Sequence, residues 1–197
     1  MEHSTYKKLV VTAAGLFRKR GFSATGVSDI LRQANLPKGS LYYHFPGGKK
    51  DLAIEAAKWS AQQVNSLIDE VFSETREQGG DFIDAAIRFC ERVVEVYHAE
   101  GEWSFSSIST ILLEGSDEDL EFSELARELY ASHKVKIIEQ GEAYGLSEEE
   151  AFWIGHKMML FLEGGWLVSR VTGDTESLCF AVDCMKEEKL ITGKRGF

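Results

Sequence analysis

Side chains that can bind a polyanion are gathered in residues 35–52. The segment reads NLPKGSLYYHFPGGKKDL and holds three lysines, two adjacent tyrosines and a histidine, with Asp51 as its only acidic side chain. Ammonium, phenol and imidazole groups donate hydrogen bonds to phosphate oxygens, and a lysine also reaches the acceptor atoms of guanine. The whole chain has a formal net charge of −10, so this cluster of cations is opposite in sign to the chain as a whole.

The charge is divided unequally along the chain. Residues 1–50 carry nine lysines and arginines against two acidic groups, a net charge of +7, whereas residues 51–197 carry thirteen against thirty, a net charge of −17. A basic head on an acidic body is typical of a nucleic-acid-binding module joined to a separate domain. The alternative is a chance cluster of cations.

One longer helix and two short helices are predicted to position the basic segment. An apolar stripe at helical spacing predicts the first over residues 4–19, and Gly21 ends it. The second begins after Thr25 as its N-cap and ends at Asn35, a residue type that tolerates the left-handed conformation of a tight turn. The third covers residues 37–44, with Pro37 in its first turn. Two short helices joined by a tight turn after a longer one make a helix-turn-helix.

In a helix-turn-helix, the N-terminal residues of the second helix of the motif face DNA base edges. Here these residues are Lys38, Gly39 and Ser40. Lys38 can bind guanine or phosphate, and Ser40 can bind either. Gly39 costs about 1 kcal/mol relative to alanine inside a helix. Either close approach to DNA or close packing on a neighbouring helix would explain it.

The aromatic residues that follow are expected to bind phosphate. Leu41 and Phe45 are four residues apart and take the core face, so at least one of the two tyrosines should point outward. We therefore expect phosphate contacts from Tyr42, Tyr43 and His44, which would position the helix without reading sequence.

The rest of the chain predicts a larger helical body. Only two prolines occur, both in the basic segment, and no Asn-Gly or Asp-Gly hairpin signal separates two strand-like runs. Helical patterns cover residues 51–77, 81–98, 119–144, 148–171 and 174–189, with a possible short helix in 103–113. The prediction is an all-α fold of eight or nine helices. Residues 1–48 would form the DNA-binding domain and residues 49–197 a helical ligand-binding and dimerisation domain.

Other classes of protein receive no support from the sequence. The most apolar stretch, residues 158–168, is far shorter than the roughly 20 residues that span a bilayer, and no signal peptide is visible. Three cysteines without a C-x-x-C spacing predict neither a disulfide framework nor a metal site. No cofactor or catalytic motif is present either. We expect a cytoplasmic protein that is not an enzyme.

Residues 9–52 resemble the DNA-binding domain of TetR-type transcriptional regulators. The resemblance rests on AAGLF at 13–17, GFSAT at 21–25, DI at 29–30, KGSLYYHF at 38–45 and KKDL at 49–52. It implies a homodimer that binds a palindromic operator, mostly as a repressor, under the control of a small molecule in the C-terminal domain. It also implies DNA contacts at the positions of Thr25, Ser28, Lys38, Ser40, Tyr42, Tyr43, His44 and the lysine that opens the fourth helix.

The chain departs from the family pattern in the turn and in the link to the fourth helix. Asn35 stands where a glycine is usual and Pro37 where a serine is usual. The link FPGGK is one residue longer than the common form, which leaves open whether Lys49 or Lys50 contacts phosphate. FPGGKK, together with EG at 163–164 and RV at 170–171, is similar to the branch of lincomycin-resistance and flavonoid-responsive repressors.

The C-terminal helices predict a dimer interface. Residues 151–171 are apolar around the whole helix axis, which indicates burial on all sides. One face would pack on the core and the other on a partner subunit, with the last helix completing a four-helix interface. A central core helix in a monomer is the alternative.

An apolar effector site is expected in the body. Its predicted lining is aromatic, with Glu163 as a polar anchor: Trp103, Phe105, Phe122, Tyr130 and Phe161. Each aromatic residue alone could be plain core, and Glu163 could instead pair with Lys157 or Arg170.

Two other functions compete with that of a ligand-responsive DNA-binding regulator. A thiol-redox-responsive regulator would use Cys179 and Cys184, which lie five residues apart on one helix and point to different faces, so that only an intersubunit disulfide stays open. An enzyme in a helical bundle lacks any nucleophile–base pair, phosphate loop or zinc pattern in this sequence.

Overall fold

The computed structural model describes residues 2–99, 109–116 and 119–195, and these residues form nine α-helices and no strand. The all-α prediction is confirmed. The helices are α1 Glu2–Arg20, α2 Val27–Ala34, α3 Lys38–His44, α4 Lys49–Glu77, α5 Phe82–Ala99, α6 Ser109–Ser116, α7 Leu120–Ala143, α8 Glu148–Thr172 and α9 Glu176–Arg195.

The tight turn between α2 and α3 has the predicted form. Asn35 adopts φ 51° and ψ 52°, the left-handed conformation, and its N–H donates to the carbonyl of Arg32 at 3.1 Å. Pro37 stands just before α3 as its N-cap, with φ −71°. Asn35 and Pro37 therefore form this tight turn in place of the glycine and serine that are usual at these positions.

The start of α2 differs from its prediction. The N-cap is Gly26, not Thr25, and no side chain caps the helix. The hydroxyl of Thr25 instead donates backwards to the carbonyl of Gly21 at 2.7 Å. The predicted N-cap is thus wrong, because the Thr25 hydroxyl has its acceptor in the preceding turn.

The helices fall into two compact units. The first comprises Met1–Gln63 and Glu102–Tyr130, and its core joins α1 to α3 with the start of α4, α6 and the start of α7. Leu9, Phe17, Leu41, Leu52 and Ile111 are fully buried in it. The boundary expected after residue 48, between a DNA-binding domain and a ligand-binding and dimerisation domain, stays a prediction.

The second unit comprises Val64–Gly101 and Ala131–Phe197. Helices α5, α8 and α9 pack on one another in it, and Phe72 and Phe89 are buried there. Helix α8 begins with the predicted capping box, in which Ser147 Oγ accepts from the Glu150 N–H. At Gly165 a Cβ atom would lie 2.6 Å from the carbonyl oxygen of Ser177, so only glycine lets α8 and the first turn of α9 come this close.

Polar pairs link α4 to α7 within the second unit. Asn65 Oδ1 lies 2.7 Å from Nδ1 of the buried His133, and Gln140 Nε2 donates to Asp69 Oδ1 at 2.7 Å. His133 is therefore a hydrogen-bonded core histidine. In the described part of the chain, no helix is long and apolar enough to span a membrane.

Candidate nucleic-acid interface

Helix α3 separates its side chains into a buried and an exposed set. Leu41 and Phe45 are buried in the core of the first unit, while Tyr42 is 51% exposed and Tyr43 is 69% exposed. Lys38 and Gly39 are exposed as well, and Ser40 and His44 are half-buried. The spacing of Leu41 and Phe45 thus predicted the orientation of this helix correctly. A continuous polar face of α3 is accessible to a ligand.

The surroundings of Gly39 argue against one of its two explanations. A Cβ atom built at this position meets no heavy atom of the described residues within 4 Å. Close packing against another described helix therefore does not require a glycine here. Close approach of the backbone to DNA, the other explanation for this glycine, stays a prediction.

Thr25 and Ser28 lie at the start of α2 but in different surroundings. Thr25 is fully buried, and its hydroxyl is held by the carbonyl of Gly21. Ser28 is exposed on the first turn of α2. Since a buried hydroxyl with an internal acceptor stabilises its own turn, Thr25 fixes the start of α2 in this structure. Direct contact of either residue with DNA stays a prediction.

The two lysines that open α4 have different neighbours. Lys50 Nζ lies 2.5 Å from Asp119 Oδ2 and 2.6 Å from Glu121 Oε2. These hydrogen bonds raise the pKa of Lys50 above its usual value and lower that of Asp119. Lys49 Nζ instead lies 4.3 Å from the ring centre of Phe22 and 3.4 Å from the carbonyl oxygen of Ser23. Lys49 therefore lies beside the turn that leads into α2.

One residue that supports α3 was missed by the sequence interpretation. Tyr6 stacks on Phe45 with ring centres 5.1 Å apart and meets His44 edge-on at 6.1 Å. Its hydroxyl donates to Glu55 Oε2 at 2.6 Å, and burial together with Glu55 raises the pKa of Tyr6 to about 12. The phenol therefore stays protonated and ties α1 to α4 behind the end of α3. The signal was present, because Tyr6 lies three residues before Leu9 and so extends the apolar stripe of α1.

The predicted effector residues do not all fall in one unit. Trp103 and Phe105 lie outside the described residues. Phe122 is buried in the first unit, 5.4 Å from Phe22 between ring centres, and Tyr130 is 37% exposed. Phe161 and Glu163 are half-buried on α8 in the second unit. The effector role of all six residues stays a prediction.

Lys157 and Arg170, the two alternative partners predicted for Glu163, contact other residues. Lys157 Nζ lies 2.7 Å from Glu188 Oε1, which joins α8 to α9. The guanidinium of Arg170 lies 5.5 Å from the ring centre of Trp166.

The surroundings of Cys90 and Cys184 oppose thiolate formation. Burial raises the pKa of Cys90 to about 12. Burial and the nearby Glu187 and Asp183 also raise the pKa of Cys184. Because the thiolate is the form that reacts with oxidants, these two thiols are poorly placed for a redox switch.

Comparison with known proteins gives concordant matches. The family model described as bacterial regulatory proteins, tetR family, matches residues 9–56. The chain is 30% identical over 176 residues to the uncharacterized HTH-type transcriptional regulator YxaF of Bacillus subtilis, covering 87% of this chain and 88% of that protein. It is 26% identical over 181 residues to the HTH-type transcriptional regulator LmrA of the same organism, covering 92% and 94%. A TetR transcriptional regulator from Legionella pneumophila shares the fold, with a TM-score of 0.75 and 17% identity over 92% of this chain and 95% of that one.

Proposed function

The chain belongs to the tetR family of bacterial regulatory proteins, and we propose that it represses transcription by binding a palindromic operator as a homodimer. It is a transcriptional regulator and not an enzyme. The observation that carries the finer proposal is the exposed polar face of α3, which runs from Lys38 to His44 over a buried Leu41. As a regulator of DNA, it would act in the cytoplasm.

In this proposal, α3 enters the major groove with its N-terminal end toward the bases. Lys38 and Ser40 would bind base edges, and Gly39 would let the backbone approach them. Tyr42, Tyr43 and His44 would donate to phosphates and set the register of the helix. We assign the further phosphate contact to Lys49, because Lys50 would first have to leave two carboxylates.

The exposed apolar face of α8 and α9 supports the homodimer. Large apolar side chains are exposed along both helices of the second unit, where water contact is unfavourable: Trp153, Leu160, Leu167, Val168, Val171, Phe180 and Leu190. Gly164 lies in the same stretch of α8, and a Cβ atom there would meet none of the described residues within 4 Å. A partner helix could therefore cross α8 closely at this point.

Control by a small apolar or aromatic effector is the finer part of the proposal. It is supported by membership of the family and by half-buried Phe161 and Glu163 on α8, which could supply an apolar contact and a polar anchor. The FPGGKK link supports a place near the branch of lincomycin-resistance and flavonoid-responsive repressors.

A direct binding experiment tests the regulator function. Fluorescence anisotropy would measure the affinity for DNA that flanks the gene of this protein and for a shuffled duplex, between about 50 and 200 mM salt. We expect preference for the flanking DNA and a steep fall of affinity with salt, because lysine contacts release counterions. Equal, salt-independent affinity for both duplexes would refute the proposal.

A further inference from the structure

We propose that Glu114 is a positioning residue for DNA binding, which holds the turn between α1 and α2 in the conformation that α2 and α3 require. The inference rests on the proposed function, since it concerns how α3 is presented to DNA. Glu114 lies on α6 and belongs to the same compact unit as α1, α2 and α3.

The contact itself joins a carboxylate to a backbone amide far away in sequence. The N–H of Ser23 donates to Glu114 Oε2 at 2.7 Å, across 91 residues of chain. Ser23 lies in the turn between Arg20 and Val27, where the N–H groups are not part of a helix. A hydrogen bond to a charged acceptor is stronger than one between neutral groups, so this carboxylate can select one conformation of the turn.

Gly21 leaves the space that the carboxylate occupies. Its φ is +86°, and a Cβ atom there would overlap Glu114 Oε1 and come within 3.0 Å of Glu114 Cδ. The carbonyl of Gly21 accepts the hydroxyl of Thr25, and its N–H donates to Phe17 at 2.8 Å. The carboxylate, Gly21 and Thr25 therefore fix consecutive parts of one turn, which ends at the N-cap of α2.

Helix α6 is itself held in place by the core of the first unit. Ile111 and Leu112 are buried there. A Cβ atom on Gly115 would lie 2.6 Å from the ring of Phe122, which in turn packs against Phe22 of the turn. Because α6 is packed into this core, Glu114 lies on a helix that is held in place. Its carboxylate can therefore restrict the conformation of the turn.

The expected consequence is a change in DNA affinity and not in base preference. The turn sets where α2 begins, and α2 carries α3 through the tight turn at Asn35. When the turn samples other conformations, every DNA contact of α3 is weakened together. Since the number of lysine–phosphate contacts is unchanged in the bound form, the slope of log affinity against log salt should also stay the same.

Two substitutions separate this role from general effects of charge. Glu114→Gln keeps an oxygen acceptor for the Ser23 N–H, whereas Glu114→Leu removes it. Both remove a negative charge, so a simple relief of repulsion from DNA would tighten binding in both. Glu124→Leu, at an exposed glutamate on α7 in the same unit, is the matched control.

The experiment combines operator affinity with amide exchange of the free protein. We expect Glu114→Leu to bind flanking DNA about tenfold more weakly at an unchanged salt slope, and Glu114→Gln to stay within about threefold of the wild type. Glu124→Leu should bind like the wild type. Unchanged affinity in Glu114→Leu, tighter binding in both variants, or an equal loss in both would overturn the proposal.

Amide exchange keeps the inference testable if Glu114→Leu does not fold. In the wild-type protein without DNA, the Ser23 N–H should be protected from hydrogen exchange, and Glu114→Gln should preserve most of this protection. Exchange of Ser23 at the rate of an open amide would overturn the proposal. A wild-type protein that binds no DNA while Ser23 is protected would instead refute the regulator function and leave the Glu114 contact intact.

Discussion

Lys50 Nζ lies 2.5 Å from Asp119 Oδ2, and this pair separates the roles of the two lysines that open α4. Glu121 adds a second carboxylate at 2.6 Å. The two acidic residues belong to the start of the α7 region, so Lys50 links the beginning of α4 to α7 within the first unit. The sequence alone did not decide whether Lys49 or Lys50 contacts phosphate, because the link before α4 is one residue longer than in the common family pattern.

The first prediction concerns these two lysines. Lys49→Ala should weaken binding to all DNA sequences and reduce the slope of log affinity against log salt by about one, because one phosphate contact is lost. Lys50→Ala should leave that slope unchanged. Salt titrations of operator binding for both variants provide the measurement, and a reduced slope in Lys50→Ala alone would reverse the assignment.

The second prediction separates base recognition from positioning on α3. Lys38→Ala should cost about 1–3 kcal/mol of discrimination at one operator position, because a base contact is removed. Tyr42→Phe should weaken binding to every sequence alike, since it removes only a donor to phosphate. Binding to a set of single-base operator variants distinguishes the two patterns. An identical pattern for both variants would contradict the orientation proposed for α3.

Much of the fold was predictable because burial imposes a period on the sequence. The stripe of α1, the left-handed Asn35 and the capping box of Ser147 each depend on residues within a few positions of one another. Glu114 could not be found in this way. Its partner is 91 residues away and is a backbone N–H, a group that nearly every residue has.

Thr25 shows a different limit of sequence reasoning. A threonine just before an apolar stripe is a common N-cap, yet the same hydroxyl can donate to the preceding turn. Here the Gly21 carbonyl takes it, and α2 begins after Gly26. Which of these two roles the hydroxyl takes depends on the conformation of the turn, which the sequence pattern does not specify.

The third prediction tests the proposed dimer face. Leu160 is 58% exposed on α8, and Leu160→Glu should shift the protein toward monomers, because about 1.5–3 kcal/mol is lost for each leucine that is no longer buried. Sedimentation velocity measures the shift, and operator affinity should fall with it. Val135→Glu is the control, since Val135 is similarly exposed, at 54%, but lies on α7. A dimer unaffected by Leu160→Glu would exclude this face.

The fourth prediction concerns the thiols. Because burial raises the pKa of Cys90 to about 12 and also raises that of Cys184, both should remain largely protonated at neutral pH and react slowly with peroxide. In Cys179→Ser, where Cys90 and Cys184 are the remaining thiols, operator binding should therefore be the same before and after brief peroxide treatment. Mass spectrometry would check the thiols, and a disulfide that forms rapidly and abolishes binding would revive the redox alternative.

The last prediction is a pH dependence of stability from His133. This residue is only 2% exposed, and burial lowers its pKa to about 4 in the folded protein. Because Asn65 Nδ2 donates to Ser132 Oγ, its Oδ1 accepts from the Nδ1–H of neutral His133.

The unfolded chain binds the His133 proton below a pKa of about 6.5, whereas the folded protein binds it only below about 4. Between these values the unfolded state holds more protons, so the free energy of unfolding falls as the pH falls. The loss should approach about 3 kcal/mol when the pH reaches 4. Urea unfolding of the wild type and of His133→Gln at matched pH isolates this effect, because the carboxylates titrate equally in the two proteins. A His133→Gln variant that retains the wild-type pH dependence would contradict the burial of a neutral imidazole.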